Sequence, residues 1–111
     1  MSFAAPAPNM PPDKPIEWSP KSKGDLAEIW AYYARAASPE FADAFIRKIA
    51  RETERIGRHP TPDREHEEFR GLRRLLVHPY TVFFRVSDKL AEVARVLHEQ
   101  RDFPSAFGDE I

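Results

Sequence analysis

The sequence contains no cysteine, which excludes disulfide bridges and metal sites built from thiolates. It also lacks any apolar run near the ~20 residues that a membrane-spanning helix needs. Its first residues do not show the basic-then-apolar order of a secretory signal. We therefore expect a cytoplasmic protein with no membrane association, and nothing in the residue pattern calls for a cofactor.

Neither sign of charge dominates, since 17 basic residues and 18 acidic residues give a net charge of −1. Overall charge therefore cannot draw the chain to nucleic acid, and any such binding would need a local basic patch. We expect no direct sequence-specific binding of nucleic acid. A length of 111 residues with 41% hydrophobic content predicts one small globular domain.

The composition divides the chain into three parts. Residues 1–15 are rich in proline and small residues, which favours a disordered extension. Residues 16–103 are expected to form the domain, and residues 104–111 a C-terminal tail. Phe103 and Phe107 are expected to fold back onto the domain or onto a partner.

Two helices are predicted after a short extended piece at residues 16–18. Each begins at a serine–proline pair, Ser19-Pro20 and Ser38-Pro39, where serine caps the free amides and proline suits the first position. The second helix is expected to be stopped by Gly57 and then Pro60. Helical spacing gives two apolar stripes, formed by Leu26, Ile29, Trp30 and Tyr33 and by Ala42, Phe45, Ile46, Ile49, Thr53 and Ile56.

Three strands are predicted in the second half of the chain. They cover residues 72–77, 80–86 and 90–98, and the two or three residues between them indicate an antiparallel meander. Residues 61–70 are expected to be a charged, solvated loop, and the spacing of His66 among its glutamates matches no metal-ligand pattern. The predicted fold is α+β in the order β-α-α-β-β-β. An N-terminal helical hairpin packs on one face of a small antiparallel β-sheet.

Apolar residues fall on both faces of the predicted sheet. Alternation directs Tyr80, Val82, Phe84 and Val86 to one side. Two helices can cover only one face, so apolar area is expected to remain on the other. Either a partner chain covers that second face, or Phe103, Phe107 and the arginine stems do.

The order of motifs resembles toxins of the ParE branch of the RelE/ParE superfamily over residues 18–102. The pieces that carry the resemblance are Asp25-Leu26 with Ile29-Trp30, Gly71-Leu72-Arg73, the run 80–86, and Arg95-Val96-Leu97-His98 with Arg101-Asp102. The resemblance implies a toxin of a bacterial type II toxin–antitoxin system, with a helical hairpin on an antiparallel sheet. It also implies an antitoxin whose C-terminal segment wraps the toxin. The residues expected to contact it are Leu72, Leu76, Phe83, Leu97 and Phe103.

The resemblance leaves two activities to weigh, because relatives similar to ParE poison DNA gyrase while relatives similar to RelE cleave mRNA on the ribosome. Metal-free RNA cleavage needs a base, cations and an acid. Arg73, Arg85, Arg95 and His98 are the residues that could supply them. However, Phe103 and Phe107 stand where RelE-like enzymes have proton-transferring side chains, and the 61–70 loop is acidic.

The predicted function is therefore inhibition of DNA gyrase, with enzyme activity left open and disfavoured. Arg73, Arg85, Arg95 and Arg101 are the expected target contacts, and Arg73→Ala or Arg95→Ala should change toxicity more than folding. A ribonuclease and a non-toxic binding module of the same fold remain alternatives. So do structural roles: His98 bonded near Asp102, and the arginines paired with Glu65, Glu67 or Glu68. Trp30→Ala or Phe84→Ala should cost about 3–5 kcal/mol.

Overall fold

A computed structural model describes residues 14–58, 65–66 and 71–100 of the chain. Within them the elements are β1 (Ile16–Trp18), α1 (Pro20–Ala36), α2 (Pro39–Arg58), β2 (Glu65–His66), β3 (Leu72–Val77), β4 (Tyr80–Val86) and β5 (Ala91–His98). The strands form one sheet in the order β1-β5-β4-β3-β2. The α+β class and the predicted order of elements are confirmed. The difference is the two-residue strand β2, which lies inside the segment predicted to be a loop.

Both helices begin where the serine–proline pairs predict. The Ser22 amide donates to Ser19 Oγ at 3.0 Å, and the Phe41 amide donates to Ser38 Oγ at 3.0 Å. These bonds satisfy amides that the first helical turn leaves without a partner. Helix α2 continues through Gly57 and ends at Arg58, between the two residues predicted to stop it. None of the helices among the described residues is long and apolar enough to cross a bilayer.

The sheet is mixed rather than wholly antiparallel. Strand β1 runs parallel to β5, with Ile16 opposite Ala91 and Trp18 opposite Val93, whereas the other pairs are antiparallel. A parallel pair needs a long crossover connection, and the helical hairpin together with β2–β4 supplies it. The expectation of an antiparallel sheet is therefore corrected at this edge. Three residues of strand carry too little side-chain pattern to encode a direction.

The main core lies between the helical hairpin and one face of the sheet. Ile29 of α1 and Ile49 and Ile56 of α2 pack there against the helix-facing residues of β3–β5. The prediction that Tyr80, Val82, Phe84 and Val86 face this core is confirmed, since Val82 and Phe84 are fully buried. Trp30 is the exception among the predicted stripe residues. It is 38% exposed, and its indole N–H donates to Asp43 Oδ1 at 2.8 Å.

The second face of the sheet holds its own buried cluster. Leu72 and Phe83 are 0% exposed and Leu97 is 2% exposed, with Ala94 packed against them. These three residues are thus covered without a partner chain, so the alternative in which a partner must cover the second face does not hold for them. Leu76 differs from them, because it lies on β3 with 60% of its surface exposed.

Strand β5 contains a bulge at Ala94. Phe83 of β4 faces Arg95 and Phe84 faces Val93, so Ala94 is an extra residue without an opposite partner. A bulge changes the direction of the side chains beside it and breaks a simple alternation count. Arg95 directly follows this bulge, at the edge of the sheet that faces α1.

Candidate functional site

Arg95 is bound by a carboxylate of the first helix. Its Nε donates to Asp25 Oδ2 at 2.8 Å and its Nη2 donates to Asp25 Oδ1 at 2.9 Å. The side chains are only 13% and 10% exposed. Such a two-point pair between arginine and a carboxylate is among the strongest of protein hydrogen-bonded contacts. The guanidinium is therefore committed to the fold.

Asp25 also accepts a backbone hydrogen bond that a neighbouring strand would otherwise accept. Strand β1 ends at Trp18, opposite Val93, so after that point β5 is paired with β4 on one side and has no described strand on the other. Helix α1 covers the edge instead. Ser19 Oγ donates to the Ala94 carbonyl at 2.9 Å, and the Val96 amide donates to Asp25 Oδ2 at 2.9 Å. Loss of the Asp25 carboxylate would remove the acceptor of the buried Val96 amide and of the Nε and Nη2 donors of Arg95.

His98 has structural contacts at the far end of β5. Its Nδ1 accepts a hydrogen bond from the Gln100 amide at 3.1 Å. Its ring meets the Tyr80 ring edge-on, with 5.3 Å between centroids. The Nδ1 lone pair is therefore occupied by a bond within the chain. Asp102, the partner suggested for His98, lies outside the described residues.

Arg73 and Arg85 are carried by neighbouring strands but lie on different faces of the sheet. Arg73 is half-buried and sits opposite Phe84, which points to the main core, and it is also in register with Glu65 of β2. Arg85 is exposed and sits opposite Glu92, on the other face. The register with Glu65 keeps open a pairing of Arg73 with an acid of the 61–70 segment. Glu67, Glu68, Arg101 and Phe103 lie outside the described residues.

The four residues considered for RNA cleavage do not converge. His98 faces Tyr80, the first residue of β4, whereas Arg85 is five residues further along that strand. At about 3.3 Å per residue these two positions are about 16 Å apart along the strand. Arg95 is held by Asp25, and Arg73 and Arg85 occupy opposite faces.

A cavity of about 160 Å³ opens between α1 and the end of β5. Asp25 and Val96 line it, and so do five other side chains. These are Glu28, Ile29 and Tyr32 from α1, and Tyr80 and His98 from the strands. Burial, together with a hydrogen bond to the Tyr33 side chain, raises the pKa of Tyr80. Its phenol is therefore neutral throughout the physiological range.

Sequence reasoning missed both the ion pair and this cavity. The signal that could have found the pair is helical spacing: Ser22, Asp25 and Ile29 share one face of α1, and all are buried. An acid on the buried face of a helix requires a cation or several donors. Residues 14–58, 65–66 and 71–100 contain no group of three or more histidine, aspartate or glutamate residues arranged to hold a metal ion.

Comparison with known proteins identifies the family. A family model described as "ParE toxin of type II toxin-antitoxin system, parDE" matches residues 16–103. The chain belongs to the ParE toxin family. A solved structure titled "Chromosomal ParDE TA system from P. aeruginosa" has the same fold, with a TM-score of 0.69. The two chains are 24% identical, and the match covers 77% of this chain and 95% of that one. The comparison with curated proteins gave no match.

Membership in the ParE family confirms the resemblance drawn from the motifs. The Asp25-Leu26 and Arg95-Val96 pieces now have a shared physical explanation in this chain, because they form the contact between α1 and the edge of β5. Two of the motifs that mark the sequence as ParE-like therefore hold this fold together.

Proposed function

We propose that this ParE-family toxin inhibits DNA gyrase and that an antitoxin encoded beside it neutralises it by binding. Family membership supports the toxin role. The observation that favours gyrase over RNA is the commitment of Arg95 to Asp25. It removes one of the three cations that a ribonuclease mechanism would draw on.

The rest of the ribonuclease set is also unsuitable. General acid–base chemistry needs the base and the acid within about 2.6–3.2 Å of the atoms that exchange protons. His98 lies at the opposite end of the sheet from Arg85, and its Nδ1 already accepts the Gln100 amide. A protein that inhibits its target by binding requires no such convergence.

For the target contact we propose Arg85 first and Arg73 second. Arg85 is exposed, and no described acidic side chain lies within ion-pair distance of it. An exposed arginine is well suited to protein recognition, because its planar group offers several donors. Arg101 stays in the proposal from the motif resemblance alone.

For the antitoxin contact, Leu76 is the strongest of the proposed residues because it is 60% exposed. Leu72, Phe83 and Leu97 are closed to a partner in the isolated chain, so an antitoxin would reach them only if this part of the chain rearranged. We therefore rank them below Leu76. Phe103 remains a prediction of the sequence.

Expression of the chain in bacteria without its antitoxin tests the proposal. DNA synthesis should fall before protein synthesis, and the cells should grow as filaments with an induced DNA-damage response. Early arrest of protein synthesis with cuts in ribosome-bound mRNA would support the ribonuclease alternative instead. Normal growth with abundant folded protein would indicate the non-toxic binding module.

A pair of arginine variants assigns the target contact. Arg85→Ala should weaken toxicity, whereas Arg51→Ala should not, since Arg51 is an equally exposed arginine on α2. Both variants should keep the stability of the parent chain within about 0.5 kcal/mol, as is usual for exposed positions. Equal toxicity of the two variants would remove Arg85 from the proposed interface.

A further inference from the structure

The cavity between α1 and the end of β5 holds a negative charge that the described part of the chain leaves uncompensated. Two acids line it, Asp25 and Glu28. Asp25 is paired with Arg95. Glu28 is exposed, and no described cation lies within ion-pair distance of it. The cavity is thus prepared for one positive group.

A second cavity shows that this arrangement is not general in the molecule. It lies beside β1 and α2, where Glu54 lines it together with Lys14 and Arg58. Two cations thus line that cavity beside its glutamate, although neither forms an ion pair with it. No lysine or arginine of the described residues lines the first cavity, and the guanidinium of Arg95 beside it is already bound to Asp25.

Aromatic rings line the same cavity as Glu28. Tyr32 is 54% exposed at the rim, and Tyr80 and His98 meet edge-on, 5.3 Å apart, in the wall. The faces of aromatic rings attract cations within about 6 Å of the ring centroid. Ile29 and Val96 add apolar surface, along which the methylene stem of a long basic side chain can lie.

The aromatic surface continues from the cavity along the helical hairpin. The Tyr32 ring touches Tyr33 at 4.9 Å between centroids, and Tyr33 touches Phe41 at 5.4 Å. Phe41 is 46% exposed. Exposed aromatic residues are typical of protein–protein interfaces rather than of sites for free small cations. The occupant is therefore a side chain presented by another protein.

We propose that this cavity receives an arginine side chain of the antitoxin, with its guanidinium on the Glu28 carboxylate and over the Tyr32 ring. The inference rests on the proposed binding of an antitoxin and adds the type of side chain and its receptor. Arginine fits better than lysine, because its planar group can bond a carboxylate at two points and stack on a ring at the same time.

Affinity measurements with matched variants test the proposal. The antitoxin encoded beside the toxin gene should bind Glu28→Gln about tenfold more weakly than the parent chain, as expected for loss of a charge-assisted contact. Glu54→Gln is the control and should change affinity less than about twofold. Tyr32→Phe should keep the affinity because the ring remains, whereas Tyr32→Leu should lower it.

A probe that does not depend on the antitoxin completes the test. N-acetyl-arginine amide is titrated into the isotope-labelled full chain, with N-acetyl-citrulline amide as its neutral counterpart. The arginine compound should shift the amide resonances around Glu28 and Tyr32, and citrulline should not. The shifts should disappear in Glu28→Gln.

The outcomes separate this inference from the proposed function. Equal antitoxin affinity for Glu28→Gln and Glu54→Gln would overturn the arginine receptor while leaving antitoxin binding intact. If no neighbouring gene product binds the chain, the proposed neutralisation fails. The titration with the arginine and citrulline compounds then tests the arginine receptor by itself. Equal shifts with arginine and citrulline, or none with either, would then overturn it.

Discussion

Asp25 and Arg95 are 70 residues apart in the sequence, yet the two side chains bond at two points, 2.8 and 2.9 Å. The same carboxylate holds the Val96 amide. The pair fixes α1 against the edge of β5 exactly where β1 has ended and a bulge interrupts the ladder. An arginine expected to contact the target is thus part of the framework.

Removal of Arg95 should destabilise the chain more than it alters recognition. Arg95→Ala leaves the Asp25 carboxylate buried without its cation, and the free energy of unfolding should fall by about 3 kcal/mol. Urea unfolding measures this, with Arg85→Ala as the control. The double variant Asp25→Asn/Arg95→Ala should cost less than the sum of the two single variants. A loss below 0.5 kcal/mol, roughly what an exposed substitution costs, would contradict the structural role.

The two helical glycines should respond to alanine with opposite signs. Gly24→Ala adds a methyl group in open space within α1 and should raise the free energy of unfolding by about 0.5–1 kcal/mol. Gly57→Ala should lower it, because the added carbon would collide with the Lys14 carbonyl oxygen. Thermal unfolding compares the two, and equal shifts of both variants would contradict the close approach at residue 14.

The two large aromatic residues Trp30 and Phe84 should differ in their effect on stability. Phe84 is 0% exposed, so Phe84→Ala should cost about 3–5 kcal/mol. Trp30 is 38% exposed and keeps one hydrogen bond to Asp43. Trp30→Ala should therefore cost only about 1–2 kcal/mol. Equal costs in urea unfolding would show that Trp30 belongs to the core, as its place in the helical stripe suggested.

Alkaline pH should destabilise the folded chain through the buried phenol of Tyr80. Burial and the Tyr33 hydrogen bond raise its pKa above the ordinary value of 10.0. A group whose pKa is higher in the folded state stabilises that state fully below its unfolded pKa, and the contribution is lost as pH rises above about 10. Stability should therefore fall more steeply above that pH in the parent chain than in Tyr80→Phe. Tyr32→Phe should stay close to the parent slope, because Tyr32 makes the smallest of the contributions that raise the Tyr80 pKa. A parent-like slope in Tyr80→Phe would contradict the assignment.

Much of the fold is predictable from local signals. The Ser19-Pro20 pair marks a helix start because its chemistry is local, and the alternation in Tyr80–Val86 marks the core face because each strand residue reverses direction. The parallel pairing of β1 is different. Its direction depends on where the helical hairpin returns the chain, and residues 16–18 contain no pattern that records this.

The site was harder to predict than the fold, because it depends on contacts between distant residues. Alternation along β5 predicts faces only while the strand is unbroken, and the extra residue Ala94 interrupts it between Val93 and Arg95. Beyond the bulge, Arg95 to His98 alternate without interruption, so Arg95 and His98 lie on opposite faces. The position of Asp25 on the buried face of α1 predicts that its carboxylate needs a hydrogen-bond donor. Nothing in the local sequence identifies Arg95 as that donor. For Leu72, Phe83 and Leu97, the sequence pattern likewise predicts that they share a face of the sheet, but not that this face is buried in the isolated chain.

The most direct test of the account is a supercoiling assay with purified DNA gyrase and purified toxin. The toxin should block supercoiling in proportion to its concentration, and prior addition of the antitoxin should restore activity. Arg51→Ala should inhibit as the parent chain does, and Arg85→Ala should inhibit less. Full gyrase activity at saturating folded toxin, together with cleavage of ribosome-bound mRNA by the same preparation, would contradict the account.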